Sequence, residues 1–316
     1  MPYSPPFSIT SKMLNLVSKI VEEITKIEII SIPLNLRKIN KIKTITGTLQ
    51  IEGNNLDEEK ITAILNGKRV LAKEKEILEV KGAIRLYENL DKFDYKNLDD
   101  LKKAHKILMG DILNNAGNFR NKNVGVGDKD GVVHIAPPYH LVHNLMSELF
   151  EWLQNTDIHP LIKSSVFHYE FEFIHPFVDG NGRIGRFWQT LILYNYKPIF
   201  EYIPIESIIK SKQNEYYKVL QKAGEEADSS VFVEFMLEVI LETIQNVPKD
   251  DPKNVPNREK EILTQIKNNR KISINELANI LNVSPKTIKR DIEKLKKENK
   301  ILRVGSSRSG YWQILV

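Results

Sequence analysis

Twelve consecutive residues, His175-Pro176-Phe177-Val178-Asp179-Gly180-Asn181-Gly182-Arg183-Ile184-Gly185-Arg186, combine an imidazole, a carboxylate, a glycine-flanked turn and two guanidinium groups three residues apart. That is equipment for polyphosphate and metal. Gly180 and Gly182 allow backbone angles closed to other residues and let amide groups approach an anion. Ile184, Phe187, Leu191 and Ile192 recur at helical spacing, which places Arg183 and Arg186 in the first turn of a helix that buries one face. The unpaired amides and dipole of that turn also favour phosphate. Asp179 offers hard oxygen to Mg²⁺ shared with substrate phosphates, and His175 is the nearby side chain suited to taking a proton near neutral pH. Singly, each feature has a plainer reading: Gly-Asn-Gly is a good turn anywhere, Asp179 is a serviceable helix cap, and arginines at i, i+3 commonly face solvent. Together they point to nucleotidyl or phosphoryl transfer rather than to a hydrolase triad.

The stretch resembles the signature of the Fic family, His-x-Phe-x-(Asp/Glu)-Gly-Asn-Gly-(Arg/Lys)-x-x-Arg, at every specified position. The resemblance implies a protein adenylyltransferase that moves AMP from ATP, with Mg²⁺, to a Ser, Thr or Tyr hydroxyl of a target protein. It casts His175 as the base that deprotonates the hydroxyl and Asp179 as the metal ligand. Gly180, Asn181 and Gly182 become the anion nest, Arg183 a phosphate contact, and Arg186 the holder of the γ-phosphate. Phe177 would anchor the loop in the core.

Far upstream, Thr48-Leu49-Gln50-Ile51-Glu52-Gly53-Asn54 reads on its own as a helix ended by Gly53. Its resemblance to the family's (Ser/Thr)-x-x-x-Glu-(Gly/Asn) pattern implies an inhibitory helix near 40–53. Glu52 would then pair with Arg186 in the place of the γ-phosphate and leave ATP badly oriented. Leu36, Ile39, Ile42, Ile45 and Leu49 supply helical periodicity leading into Glu52, and Asn55-Leu56-Asp57-Glu58-Glu59 looks like the capped start of another helix. A brake within the same chain implies autoinhibition in cis.

Between these motifs, Phe119–Gly127 and Gly131–Pro138 form two β-rich runs around the polar turn Asp128-Lys129-Asp130, a hairpin in a largely helical chain. In the Fic family a hairpin here is a flap, so Val132, Val133, His134 and Ile135 are implied to pair with the backbone of the target peptide, a contact that makes little sequence demand.

The elements that must position these residues are mainly helices. Helical spacing recurs at Met13, Leu14, Val17, Ile20, Val21 and Ile24 after a proline-bearing arm, through 60–113, over 139–153 and 162–173, and again over 213–227 and 231–244. The expected fold is mainly α: a Fic-type helical bundle with a small β-hairpin flap and a C-terminal winged helix-turn-helix. The expected division is a helical region at 1–110, a catalytic core at 111–245, a proline- and asparagine-rich linker at 246–257 and a winged helix at 258–316. At 316 residues the chain can bury a large core and carry an appendage. It has no cysteine, which excludes disulfides and thiolate chemistry, and no run of membrane-spanning length or export signal, so a cytoplasmic protein is expected.

Charge is uneven. Residues 258–316 carry 14 Lys+Arg against 6 Asp+Glu, whereas the first 257 carry 32 against 35; the formal net charge of +5 thus arises entirely in the tail. In that tail Ser284 caps a helix from Pro285 with a buried stripe of Ile288, Ile292 and Leu295, and the strands 301–304 and 311–315 flank a loop at 305–310. The arrangement resembles the winged helix of bacterial regulators, and Lys286, Lys289 and Arg290 are the candidate DNA contacts. The same surface could instead dock a target protein or a second copy of the chain. The leading expectation is an autoinhibited adenylyltransferase. Its rivals are a nucleotide- or partner-responsive DNA-binding transcription regulator, and a Fic enzyme that uses another phosphate donor or removes AMP.

Overall fold

The structure, a computed structural model, describes residues 3–30, 32, 34–128, 131–247, 255–281, 283–305 and 310–315. In chain order the elements are α1 (Ser11–Ile30), α2 (Leu34–Ile51), α3 (Glu58–Leu65), α4 (Glu74–Glu88), α5 (Leu98–Met109), β1 (Gly125–Asp128), β2 (Gly131–Ile135), α6 (Val142–Asn155), α7 (Pro160–Ile174), α8 (Asn181–Tyr196), α9 (Ile205–Ser211), α10 (Gln213–Glu226), α11 (Ser230–Asn246), α12 (Val255–Asn268), α13 (Ile274–Ile280), α14 (Pro285–Lys297), β3 (Ile301–Val304) and β4 (Tyr311–Ile314). They divide into two compact units, residues 1–24 with 40–245 and residues 25–39 with 246–316.

The first unit is built on α7 and α8. Both are buried around almost their whole circumference, including Ser164, Ser165 and His168 on α7 and Arg183, Arg186, Gln189 and Thr190 on α8. The helix after the motif, expected to bury one face and to stand at the centre of the bundle, is central and buried on nearly every side. Its polar residues must find partners inside the protein, because an unpaired buried polar group is costly. Phe167, Phe171, Phe177, Phe187 and Trp188 fill the space around the pair and are fully buried. The N-terminal arm closes on the same core. The Tyr3 hydroxyl donates to Glu170 Oε2 at 2.6 Å, the Pro6 carbonyl accepts from Ser229 N at 2.9 Å, and Thr10 Oγ1 donates to Glu234 at 2.6 Å.

Within this unit, α2 is held tightly along its C-terminal half. A Cβ on Gly47 would lie 2.7 Å from the Glu206 backbone carbon, so α2 and α9 approach more closely than a side chain would permit. Lys210 Nζ donates to the Gln50 carbonyl at 2.9 Å and Gln213 Nε2 to the Ile51 carbonyl at 2.8 Å, satisfying carbonyls that the helix end leaves unpaired. The helix stops at Ile51, and Gly53 turns the chain at φ +84°, as the sequence leads one to expect. Asp57 then caps α3 by accepting from Lys60 N.

The hairpin is shorter than the β-rich runs. Pairing begins only at Gly125, opposite Ile135, and ends at Asp128 opposite Gly131, with an irregularity between Val126 and Gly127 that leaves Val133 without an opposite residue. Lys129 and Asp130 of the expected turn lie outside the described residues.

In the second unit, Ile262, Ile266, Leu277, Ile288, Ile292, Leu295, Ile301 and Trp312 form one apolar cluster. Ser273 and Glu276 close a capping box on α13, and Ser284 caps α14 with Pro285 at its first position. Strands β3 and β4 pair antiparallel from Ile301↔Ile314 to Val304↔Tyr311. Helix, turn, helix and a two-stranded ribbon are the architecture of a winged helix-turn-helix. Asn282, the loop residues 306–309 and Val316 lie outside the described residues, as do 248–254 of the expected linker, whose flanks are helical in α11 and α12. Among the described residues no helix is long and apolar enough to cross a membrane.

Candidate functional site

The loop between α7 and α8 is fixed from several sides. His175 ends α7 in the left-handed region at φ 49°, its amide donating to the Phe171 carbonyl at 3.0 Å. Arg120 holds this unusual turn: Nε donates to the His175 carbonyl at 2.8 Å, Nη2 to those of Ile174 and Pro137, and its own amide to the Pro176 carbonyl at 2.9 Å. Phe177 is fully buried and stacks on His105 at 3.7 Å, as its anchoring role requires. His105 Nδ1 accepts from Gly117 N at 2.8 Å, so Nε2 is the protonated nitrogen and donates to the Asp179 carbonyl at 2.9 Å. Burial pushes the His105 pKa down to about 4, which keeps the ring neutral in this role.

Asn181 does something the turn chemistry alone did not reveal. Its Oδ1 accepts from Phe177 N at 2.8 Å and its Nδ2 donates to the Phe177 carbonyl at 2.9 Å, bracing the loop across its mouth. The side chain is thus spent on shape, and because the Gly180 amide donates to Asp179 Oδ1 at 2.6 Å, the backbone amides of Asn181 and Gly182 are what the loop can offer an anion. Gly180 sits at φ +84°, where a Cβ would also press on Met109 at 3.0 Å.

Arg183 and Arg186 are 3% and 2% exposed, and carboxylates meet both. Arg186 Nε donates to Thr48 Oγ1 at 3.0 Å, and its Nη2 donates to the Thr48 carbonyl at 3.2 Å and to Glu52 Oε1 at 2.6 Å. A Cβ on Gly182 would collide with Glu52 Oε1, so the carboxylate lies against the first turn of α8 in room that only glycine leaves. An anion therefore already sits at the helix start. Burial alone would lower the Arg186 pKa; the Glu52 carboxylate leads the influences that more than reverse this and raise it above its ordinary value. Thr48 and Glu52 thus both meet Arg186, which lies 138 and 134 residues further along the chain.

Arg183 Nη2 donates to Asp179 Oδ1 at 3.1 Å, and Nη1 lies 3.3 Å from Glu79 Oε1 on α4. Glu79 was not legible as a site residue, nor was Glu172. The Glu172 carboxyl lies 3.9 Å from His175 Nδ1 and 3.8 Å from His168 Nε2. Burial pushes the Glu172 pKa up to about 8 and the His168 pKa down to about 3. His168 also contacts Gln189 Oε1 at 2.6 Å through Nδ1 and the Tyr216 hydroxyl at 3.1 Å through Nε2. One signal for Glu172 was available: it stands three residues before His175, in the last turn of the helix that His175 ends.

Two family models match the chain: the Fic/DOC family over residues 95–193 and the DeoR-like helix-turn-helix domain over residues 258–306. A crystal structure of a Fic family protein from Desulfovibrio desulfuricans G20 is 37% identical, with a TM-score of 0.78 over 99% of this chain and 98% of that one. This chain belongs to the Fic family. Its fold also resembles that of residues 134–508 of Fic-1 from C. elegans, at 22% identity and a TM-score of 0.60 over 75% of this chain and 70% of that one. Among curated relatives, the protein adenylyltransferase Fic of Culex quinquefasciatus is 31% identical over 217 residues, which are 64% of this chain and 41% of that protein. That of Aedes aegypti is 29% identical over the same shares. The Fic chain thus spans about two fifths of the length of these relatives.

In this Fic protein the residues fit a metal that arrives with its substrate. Asp179 is 40% exposed; its Oδ1 accepts from Gly180 N and Arg183, while Oδ2 has no partner among the described residues. Among the described residues no group of three or more His, Cys, Asp or Glu could hold a metal by itself. One carboxylate beside a helix start suits Mg²⁺, which keeps several waters and shares substrate phosphates. The backbone of Val132, Val133, His134 and Ile135 runs along β2. Lys286, Lys289 and Arg290 are exposed on α14 of the DeoR-like domain, and Arg290 Nε approaches the buried Asp291 at 3.6 Å.

Proposed function

We propose that this Fic chain is a Mg²⁺-dependent protein adenylyltransferase that moves AMP from ATP to a Ser, Thr or Tyr hydroxyl of a target protein, and that Glu52 holds it back. The observation that carries the reading is the Glu52 carboxylate against Gly182 and Arg186, an acidic group occupying an anion seat on the loop that also bears His175 and Asp179. In the reaction the target oxygen bonds to the α-phosphorus of ATP and the bond from that phosphorus to the oxygen bridging the β-phosphate breaks, so pyrophosphate leaves. His175 takes the hydroxyl proton. Arg183, Arg186 and the amides of Asn181 and Gly182 orient the phosphates, Gly180 gives the loop the turn that aims them, and Asp179 would hold Mg²⁺, which offsets charge on the leaving phosphates. The backbone of β2 at Val132–Ile135 would align the target segment by strand pairing. Thr48 and Gly53 serve the brake by fixing Arg186 and ending the helix that carries Glu52.

Incubation of the purified chain with Mg²⁺, ATP labelled in the α-phosphate and a cell extract is expected to label protein covalently, and His175→Ala is expected to abolish the label while nucleotide binding persists. Equal labelling by the His175 variant would overturn the assignment of the base.

For the tail, the match to a DeoR-like domain and the exposed Lys286, Lys289 and Arg290 favour duplex DNA as a partner. Competition among genomic fragments at near-physiological salt tests it, with preference for some fragments expected and uniform weak binding the contrary result.

A further inference from the structure

Arg183 has a second carboxylate partner whose task the reaction above leaves unexplained. Its guanidinium is buried, and Nε and Nη1 make no hydrogen bond. Two acids from different elements flank it: Asp179 from the loop, bonded at 3.1 Å, and Glu79 from the middle of α4, at 3.3 Å. Glu79 is itself 9% exposed, and its other oxygen, Oε2, accepts from Asn54 Nδ2 at 2.8 Å. Asn54 is 5% exposed and rigidly set: its amide donates to the Leu49 carbonyl at 3.1 Å, its Oδ1 accepts from Leu56 N at 3.0 Å, and Nδ2 also donates to the Glu76 carbonyl at 3.2 Å. Lys75 Nζ, 4.0 Å from Glu79 Oε1 and 65% exposed, is too distant and too solvated to be the partner that Glu79 is kept for. A buried carboxylate is retained only where pairing and hydrogen bonds repay its desolvation, and here all of them lead from Asn54 to Arg183.

The two acids on Arg183 differ in what else they can do. Asp179 is 40% exposed, with one oxygen unpartnered among the described residues, whereas both oxygens of Glu79 are engaged inside the protein. A carboxylate that takes a cation on its open side donates less negative charge to the guanidinium on the other. Glu79 has no such second duty.

We propose that Glu79 is the positioning residue of Arg183: with Asn54 behind it, it keeps the Arg183 guanidinium aimed at the nucleotide phosphates when Asp179 turns to Mg²⁺. The inference rests on the adenylyltransferase reading and adds to it a residue that sets phosphate affinity without touching the nucleotide. It also means that the turn 52–54 reaches both arginines, Arg186 through Glu52 and Arg183 through Asn54 and Glu79.

The test uses the full chain carrying Glu52→Gly, so that the anion seat is open, and measures ADP and adenosine binding by calorimetry with and without Mg²⁺. Adding Glu79→Gln, which keeps the shape and the Asn54 bond but removes the charge, is expected to weaken ADP binding about tenfold, with the larger loss in Mg²⁺, and to leave adenosine binding unchanged. Arg183→Ala is expected to weaken ADP binding as well, and once it is present Glu79→Gln should have no further effect. A role confined to packing α4 would lower thermal stability and affect ADP and adenosine alike, or would remain additive with Arg183→Ala; either result would overturn the proposal. If the Glu52→Gly chain binds no nucleotide at all, the proposed function falls and this inference with it. If it binds ADP and Glu79→Gln changes nothing, this inference alone falls.

Discussion

Helices α8 and α14 each carry cationic side chains three or four residues apart near their starts, and they use them in opposite ways. On α8, Arg183 and Arg186 are buried, held by Asp179, Glu79, Glu52 and Thr48, and surrounded by a helix that is itself core. On α14, Lys286, Lys289 and Arg290 face outward while Ile288, Ile292 and Leu295 face the apolar core. Water solvates the second set at no cost, so its charge says little about purpose. Burying the first set is expensive and is tolerated only because counter-charges are built around it, which is why α8 reads as a site.

The comparison is broken most directly by removing a counter-charge on α8. Glu52→Gly is expected to raise AMP transfer by at least about tenfold, because a phosphate displaced by an ångström reacts far more slowly. It is also expected to lower the melting temperature by removing the carboxylate that Arg186 is paired with, and ATP should restore it more than ADP, because only ATP brings a γ-phosphate to that guanidinium. Unchanged transfer together with an unchanged melting temperature would show that the pair is incidental.

Next in size, Arg186→Ala in the Glu52→Gly chain is expected to erase most of the preference for ATP over ADP, read by calorimetry, whereas equal losses for both nucleotides would remove its γ-phosphate role.

A third consequence is pH dependence. Burial raises the folded-state pKa of Glu172 to about 8 from 4.5, so this carboxyl binds a proton more readily in the folded chain; its contribution is fully present below pH 4.5 and is lost as pH rises through 8. Glu170 and Glu206, raised to about 7 by burial, act in the same direction. His105 and His168, lowered to about 4 and about 3 from 6.5, act oppositely, but only below about pH 6.5. Between roughly pH 6.5 and 8 the carboxyls act alone, and stability should fall as pH rises. Denaturant melts across that window check the slope, and Glu172→Gln should flatten it.

The smallest effect belongs to α14. Lys286→Ala with Lys289→Ala is expected to change stability by no more than about 0.5 kcal/mol, as for solvated surface residues, while reducing the salt dependence of any duplex binding. A large loss of stability would show that these lysines are not the solvated face described here.

Sequence periodicity and capping were enough to place most helices, and Ser284, Asp57 and Gly53 marked helix ends where the structure has them. The pairing of Glu52 with Arg186 was implied by the family resemblance and not by spacing, and the bond from Arg186 to Thr48 was implied by neither. What stayed hidden was the support behind the motif. Arg120, His105, Glu79 and Glu172 stand among other polar residues that look much the same in sequence, and each acquires meaning only through a partner 12 or more positions away or through burial. Hydrophobic period reports which face is dry, not which polar group on that face has been given a partner. The central place of α8 was expected, and for the same reason its burial on nearly every side was not.

The close fit of α2 at Gly47, with Lys210 and Gln213 clasping its last carbonyls, bears on how fast the proposed brake can respond. Peeling that helix from α9 would be a local unfolding event, on the microsecond-to-second scale, whereas swinging one glutamate about its side-chain torsions takes picoseconds to nanoseconds. Release that leaves the helix seated would therefore follow each arriving nucleotide without delay, and the resting rate would be a matter of how often one side chain looks away.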